Sequence, residues 1–166
     1  DGLGEWAGLV DRLDADVAYV MDAKGQGIAA SNWDQATTFV DIDLSYRPYF
    51  KEALVSGNGR FWGIGTTSNR PGYFFAPLVQ TDNLVGVVAV KVDLMRLAAS
   101  WQPGTRTFAV DESGVVLLTA NPAWRYRPLA PLPPPVRREA LVTRQYEGQD
   151  LSPIGLQTHE QIREDA

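Results

Sequence analysis

Three strand-like runs, RFWGIGTT (60–67), YFFAPLVQ (73–80) and LVGVVAVKV (84–92), follow one another with only SNRPG and TDN between them. Their β-branched and aromatic content favours extended backbone. A parallel neighbour needs a crossover of about a dozen residues or more, and these connections are far shorter. The three runs must therefore lie side by side and antiparallel in one sheet. Any fold for this chain has to be built around that meander.

The rest of the chain decorates the sheet. VAYVMD (17–22) reads as a strand, Asp22-Ala23-Lys24-Gly25 as a turn, and GIAASNW (27–33) as a returning strand. Leu3, Trp6, Leu9, Val10 and Leu13 keep helical spacing, so residues 1–15 are expected to end an N-terminal helix. Ser45 is the expected N-cap of a helix that runs to Ser56 and is stopped by Gly57-Asn58-Gly59. DLMRLAASW (93–101) reads as a short helix leading out. A second unit begins near Arg106. TFAVDESGVVLLTANPAW has the same order as VAYVMDAKGQGIAASNW: strand, Asp-x-x-Gly turn, strand, then Asn and Trp. This is either a weak internal repeat or a coincidence of two hairpins. PLAPLPPPVRR is expected to be an extended connector, ALVTRQYEG one more strand, and the last dozen residues helical or frayed. The pattern is α+β on antiparallel sheets.

Composition removes several functions. Of 166 residues 45% are apolar, so a packed core is expected. A net charge of −5 opposes nucleic-acid binding, yet a local field in a pocket can still hold an anion. With no cysteine there is no disulfide, zinc thiolate or thiol nucleophile. The one histidine, His159, lies in the polar tail, so a Ser-His-Asp arrangement is not expected. Asp41 and Asp43 have no second carboxylate motif, and GNGRFWG follows a helix, unlike a dinucleotide fingerprint. Neither a membrane span nor a signal peptide is visible, and the chain reads as a piece of something longer. No cofactor, metal or catalytic residue is expected.

What remains is a candidate anion pocket. Arg47 stands at a helix start among Tyr46, Pro48, Tyr49 and Phe50; its planar fork suits a carboxylate. Lys91 ends a run that is apolar on both faces, sharing one face with Val85, Val87, Ala89 and Asp93. A buried lysine requires a partner: either Asp93 or the negative charge of a ligand. Thr66, Thr67 and Ser68 bring hydroxyls to the turn before Tyr73. Two cations on different elements suit a ligand with two acidic groups.

YVMDAKGQGIAASNW, RPYFKEAL, GTTSNRPGYFFA and VGVVAVKVDL, in that order, resemble the sensor region of C4-dicarboxylate-sensing transmembrane histidine kinases. The likeness covers roughly residues 16–130. It implies a periplasmic double Cache (tandem PAS-like) fold: antiparallel central sheets flanked by helices, in two stacked modules after an N-terminal helix. Residues 16–104 would be the membrane-distal ligand-binding module and 105–166 an incomplete membrane-proximal one. It implies succinate, malate or fumarate as ligand, with Arg47, Ser68 (with Thr66 or Thr67), Tyr73 and Lys91 at family positions and Tyr49 and Asp93 beside them. It also implies a homodimer formed through the N-terminal helix in the parent, with membrane contact only through other segments, and a kinase domain elsewhere. The family's aromatic three positions before the arginine is Leu44 here. That difference keeps open an amino acid or short monocarboxylate as ligand; a further rival is a ligand-free dimerisation module, whose signature would be a Lys91–Asp93 ion pair filling the cleft.

Overall fold

The structure, a computed structural model, describes residue 10 and residues 15–81, 85–93, 95 and 107–155. The expected meander forms. Strands β1 (Val17–Asp22), β2 (Gly27–Ala30), β3 (Asn58–Ile64), β4 (Pro71–Gln80) and β5 (Val85–Val92) make a five-stranded sheet in the order β2-β1-β5-β4-β3. Neighbours run antiparallel throughout, and the valine-rich β5 lies in the middle. Helix α1 (Pro48–Ser56) covers one face, where Tyr19, Tyr49, Phe74, Val87 and Ala89 form the main core. On the opposite face Trp62 and Ile64 join a second core with Val115, Tyr126, Ala140 and Tyr146.

Strands β6 (Phe108–Val110) and β7 (Val116–Thr119) form a separate two-stranded sheet, followed by a 3-10 turn at Pro122–Trp124 and helix α2 (Pro134–Val142). The two units share a set of local hydrogen bonds. Asp22 Oδ1 accepts the amides of Lys24 and Gln26, each at 2.9 Å; Asp111 Oδ1 accepts those of Ser113 and Val115, also at 2.9 Å. Gly25 (φ 88°) and Gly114 (φ 76°) take the left-handed position that closes each turn. The Gly25 carbonyl then accepts Leu44 N–H, as the Gly114 carbonyl accepts Leu129 N–H, both at 2.9 Å. Both helices carry Glu-Ala-Leu-Val and end on a hydroxyl that bonds back four residues: Ser56 to the Glu52 carbonyl and Thr143 to the Glu139 carbonyl. Shared local hydrogen bonds of this number make the hairpin resemblance a structural repeat.

Some expectations fail for local reasons. Ser45 is not the N-cap of α1. Asp43 Oδ1 captures the Ser45 amide at 2.9 Å and holds it in a turn, and the helix starts at Pro48 with Arg47 as N-cap and no side-chain cap. Proline at the first helical position brings its own φ and needs no donor partner. Helix α2 takes the second half of the Pro-rich connector and the first residues of the strand expected after it, and the rest of that strand, residues 143–148, is turn. Pro133 caps the helix, prolines fill its first turn, and Arg137 N–H closes on the Pro133 carbonyl at 3.0 Å. Prolines confined to a first turn start a helix rather than prevent one. β2 stops at Ala30, short of the expected Trp33, because Ser31 Oγ turns back to accept Ala18 N–H. The N-terminal helix, the 93–101 helix and the polar tail lie largely or wholly outside the described residues, as does the expected boundary at 104/105. No helix among the described residues is long and apolar enough to cross a membrane.

Candidate functional site

Alternation along β5 puts Val87, Ala89 and Lys91 on the helix-covered face, so the sheet register itself carries the Lys91 ammonium indoors. Lys91 is 2% exposed. Its stem lies on Gly72 of β4, where a Cβ would come within 2.5 Å of Lys91 Cε. Nζ donates to Ser68 Oγ at 3.2 Å and pairs with Asp16 Oδ2 at 3.4 Å. Asp93 is not that partner; its carboxylate accepts the Met95 amide. Burial pushes the Lys91 pKa down, and Asp16 opposes the shift. An ammonium in this position is under-solvated and gains from further negative charge.

Ser68 sits in the β3–β4 turn, closed by the Gly65 N–H to Arg70 carbonyl bond at 2.8 Å and the Asn69 N–H to Gly65 carbonyl bond at 2.7 Å. Lys91, Ser68, Asp16, Arg70 and Asn32 line a cleft of about 350 Å³, a size that suits a small metabolite. Asn32 Nδ2 donates to the Thr37 carbonyl, while its buried Oδ1 has no hydrogen-bond partner among the described residues. Nor do the buried Thr66 and Thr67 hydroxyls in the same turn as Ser68.

Arg47 shares the core face but does not line that cleft. It is 1% exposed and lies within 5.5–6.0 Å of the Tyr46, Phe61 and Phe74 rings. Nη2 donates to the Ile64 carbonyl at 2.7 Å, and Nη1 to the Thr143 and Arg144 carbonyls at 3.3 and 3.4 Å. Its Nε–H is buried and unspent. Tyr49 stacks on Phe74 at 5.1 Å, and its hydroxyl meets that of Tyr19 at 2.7 Å. Two phenols joined by one bond have one O–H left over. Burial raises both phenol pKa values, so both stay protonated. Phe74 links the cations: its ring touches Arg47, and its backbone is the cross-strand partner of Lys91.

The structure thus brings Lys91 and Ser68 together, sets Thr66 and Thr67 in the same turn, and places Arg47 and Tyr49 behind Phe74. Tyr73 points the other way, packing with the Trp62 core. Leu44 is fully buried in the main core, so the position of the missing aromatic is plain apolar filling. Sequence reasoning missed Asp16, Asn32 and Arg70. Asn32 was visible in the repeated Asn-and-Trp ending and Arg70 in the SNRPG turn; Asp16 stands on a flanking segment without a motif.

Known proteins place this geometry. The chain is 38% identical over 148 residues to the C4-dicarboxylate transport sensor protein DctB of Pseudomonas aeruginosa, covering 88% of this chain and 24% of that protein. It is 35% identical over 126 residues to the protein of the same name from Rhizobium meliloti, covering 75% and 20%. The chain therefore spans under a quarter of the length of these curated relatives. The crystal structure of the V. cholerae histidine kinase DctB sensor domain superposes with a TM-score of 0.83 at 27% identity, covering 95% of this chain and 62% of that one. The ligand-binding domain of the Pseudomonas aeruginosa amino acid chemoreceptor PctC, solved with GABA, shares the fold at a TM-score of 0.55, 19% identity and 73% and 57% coverage. No family model matches the chain. The chain is a homologue of the DctB C4-dicarboxylate transport sensor proteins, and its antiparallel, Cache-like fold is that of the DctB sensor domain.

Proposed function

We propose that this chain is the ligand-recognising part of an extracytoplasmic sensor, facing the periplasm in a membrane-bound histidine kinase, and that it binds a C4-dicarboxylate such as succinate, malate or fumarate. The observation that carries this reading is a surplus of buried donors on the face and adjoining turn that hold the buried Lys91 ammonium: Arg47 Nε–H, one O–H of the Tyr19–Tyr49 pair, and the Thr66 and Thr67 hydroxyls. Buried donors without acceptors are costly, and a carboxylate is all acceptor. Lys91 with Ser68 takes one carboxylate. The second cation is Arg70 at the cleft rim or Arg47 behind Phe74. Each hydrogen bond to a charged group contributes about 1.5–3 kcal/mol, so a diacid held at both ends reaches micromolar affinity, about −8 kcal/mol. Tyr73 and Asp93 have no place in the contact set. The chain performs no catalysis; the phosphotransfer apparatus belongs to other parts of the kinase, and the parent protein dimerises through its N-terminal segment.

Titration calorimetry with a panel of C2–C6 mono- and dicarboxylates and amino acids tests the reading. Succinate, malate or fumarate should bind, and at about 100-fold over Kd should stabilise the fold by about 2.7 kcal/mol. Heat from amino acids alone would move the ligand to the amino acid class of the fold-level relatives. No heat from any acid would leave only the dimerisation module.

A further inference from the structure

We propose that Arg47 couples the acid-binding unit to the second unit, an inference that rests on reading the first unit as an acid-binding sensor. The segment after α2, residues 143–146, lies along the outer edge of β3. Ile64 N–H donates to the Gln145 carbonyl at 2.8 Å, and Gln145 Nε2 donates to the Trp62 carbonyl at 3.2 Å. Arg47 closes the junction with three bonds: one to Ile64 on its own sheet, two to Thr143 and Arg144 on the second unit. Tyr46 completes it, with the Arg47 guanidinium 5.5 Å and the Arg144 guanidinium 5.0 Å from its ring centroid. No carboxylate among the described residues neutralises Arg47.

The arithmetic of the guanidinium makes this junction a relay. It has five N–H bonds. Three are donated to carbonyls of the two units, and the buried Nε–H is not. Of the two candidate second cations, Arg47 is the one engaged here: an acid that reaches past Phe74 to Nε–H adds its negative charge to a guanidinium that already grips Ile64 of the first unit and Thr143 and Arg144 of the second. The docked segment holds the fork in place for the acid, and the acid in turn holds the fork for the segment. Thermodynamic linkage makes the two effects equal. Acid binding therefore tightens the 143–146 junction, and a loosened junction weakens acid binding.

Hydrogen exchange and calorimetry on the same protein test this with succinate as probe. In the unsubstituted chain, succinate should slow exchange of the Ile64 amide and the amides of residues 143–146 at least threefold. Gln145→Ala, which touches no part of the cleft, should weaken succinate binding three- to tenfold. Arg47→Lys keeps the charge but not the fork; it should speed exchange at Ile64 and 143–146 even without acid, and folding is checked by protection across β5. Succinate binding with unchanged exchange at the junction, or an unchanged Kd in Gln145→Ala, overturns the coupling and leaves the sensor reading intact. If no acid binds the unsubstituted chain, the sensor reading fails and the coupling with it, while faster junction exchange in Arg47→Lys would still establish the tie between the units.

Discussion

The first and second units share a turn, a returning strand, a left-handed corner and a helix, yet among the described residues only the first buries whole charged side chains, Arg47 and Lys91. Asp22 and Asp111 cap their turns with the same bonds, and Asp41 (φ 64°) and Tyr126 (φ 62°) turn the same corner. Ala53 and Ala140 are the buried alanines of their helices, 0% and 6% exposed. Arg47 precedes the first helix; counted back from Glu-Ala-Leu-Val, Pro134 stands at its place in the second. Nothing corresponding to β5 and Lys91 accompanies β6 and β7 among the described residues. The repeated scaffold sets the shape. Recognition enters through a few polar residues set on one copy of it, at a cost in desolvation that a scaffold alone would never carry.

The largest effect should come from narrowing that difference. Lys91→Met keeps the apolar stem and removes the ammonium, leaving Arg47 as the buried cation of the first unit. Calorimetry should show succinate affinity falling by about 100-fold, about 2.7 kcal/mol, in line with the loss of one charge-assisted contact. Retained affinity would mean that the acid is held elsewhere. A middle-sized effect should separate the two turns. Asp22→Ala and Asp111→Ala each remove two amide contacts, costing about 1–2 kcal/mol in urea unfolding. Asp111 also accepts the Tyr146 hydroxyl, so its loss should be the greater. Equal losses would deny that contact any net value.

The smallest effect is a pH dependence confined to the first unit. The Lys91 pKa is lowered in the folded state, chiefly by burial, with Asp16 as the first opposing influence. Between that lowered value and the ordinary lysine value the unfolded chain binds more protons than the folded one. Stability without acid should therefore rise with pH across this window, while succinate affinity falls as the ammonium is lost. Melting and calorimetry in parallel check both signs; a matching rise in Lys91→Met would assign the effect to another group.

How legible all this was in the sequence depended on range. The meander was legible because SNRPG and TDN left β3, β4 and β5 no other arrangement. Lys91 was legible as an anomaly because period two fixes its face. Its partner was not, since Asp16 meets it only through the pairing of β1 with β5, a long-range register. α2 was misread because proline density was weighed without its position in the first turn. Tyr73 was assigned to the pocket by the family resemblance and by its closeness to Ser68, although alternation puts it on the face opposite Gly72 and Phe74. Arg47 was recognised as special, but its grip on Thr143 and Arg144 required a contact between segments nearly a hundred residues apart.

The bare backbone beneath the Lys91 stem makes positions 72 and 91 a single design unit. Shortening the lysine alone leaves a trough in the sheet floor; filling the trough alone expels the lysine. Retuning this sensor toward an uncharged metabolite would therefore call for a paired exchange, with bulk added at 72 as length is removed at 91. Libraries that vary one site at a time would miss the productive combinations.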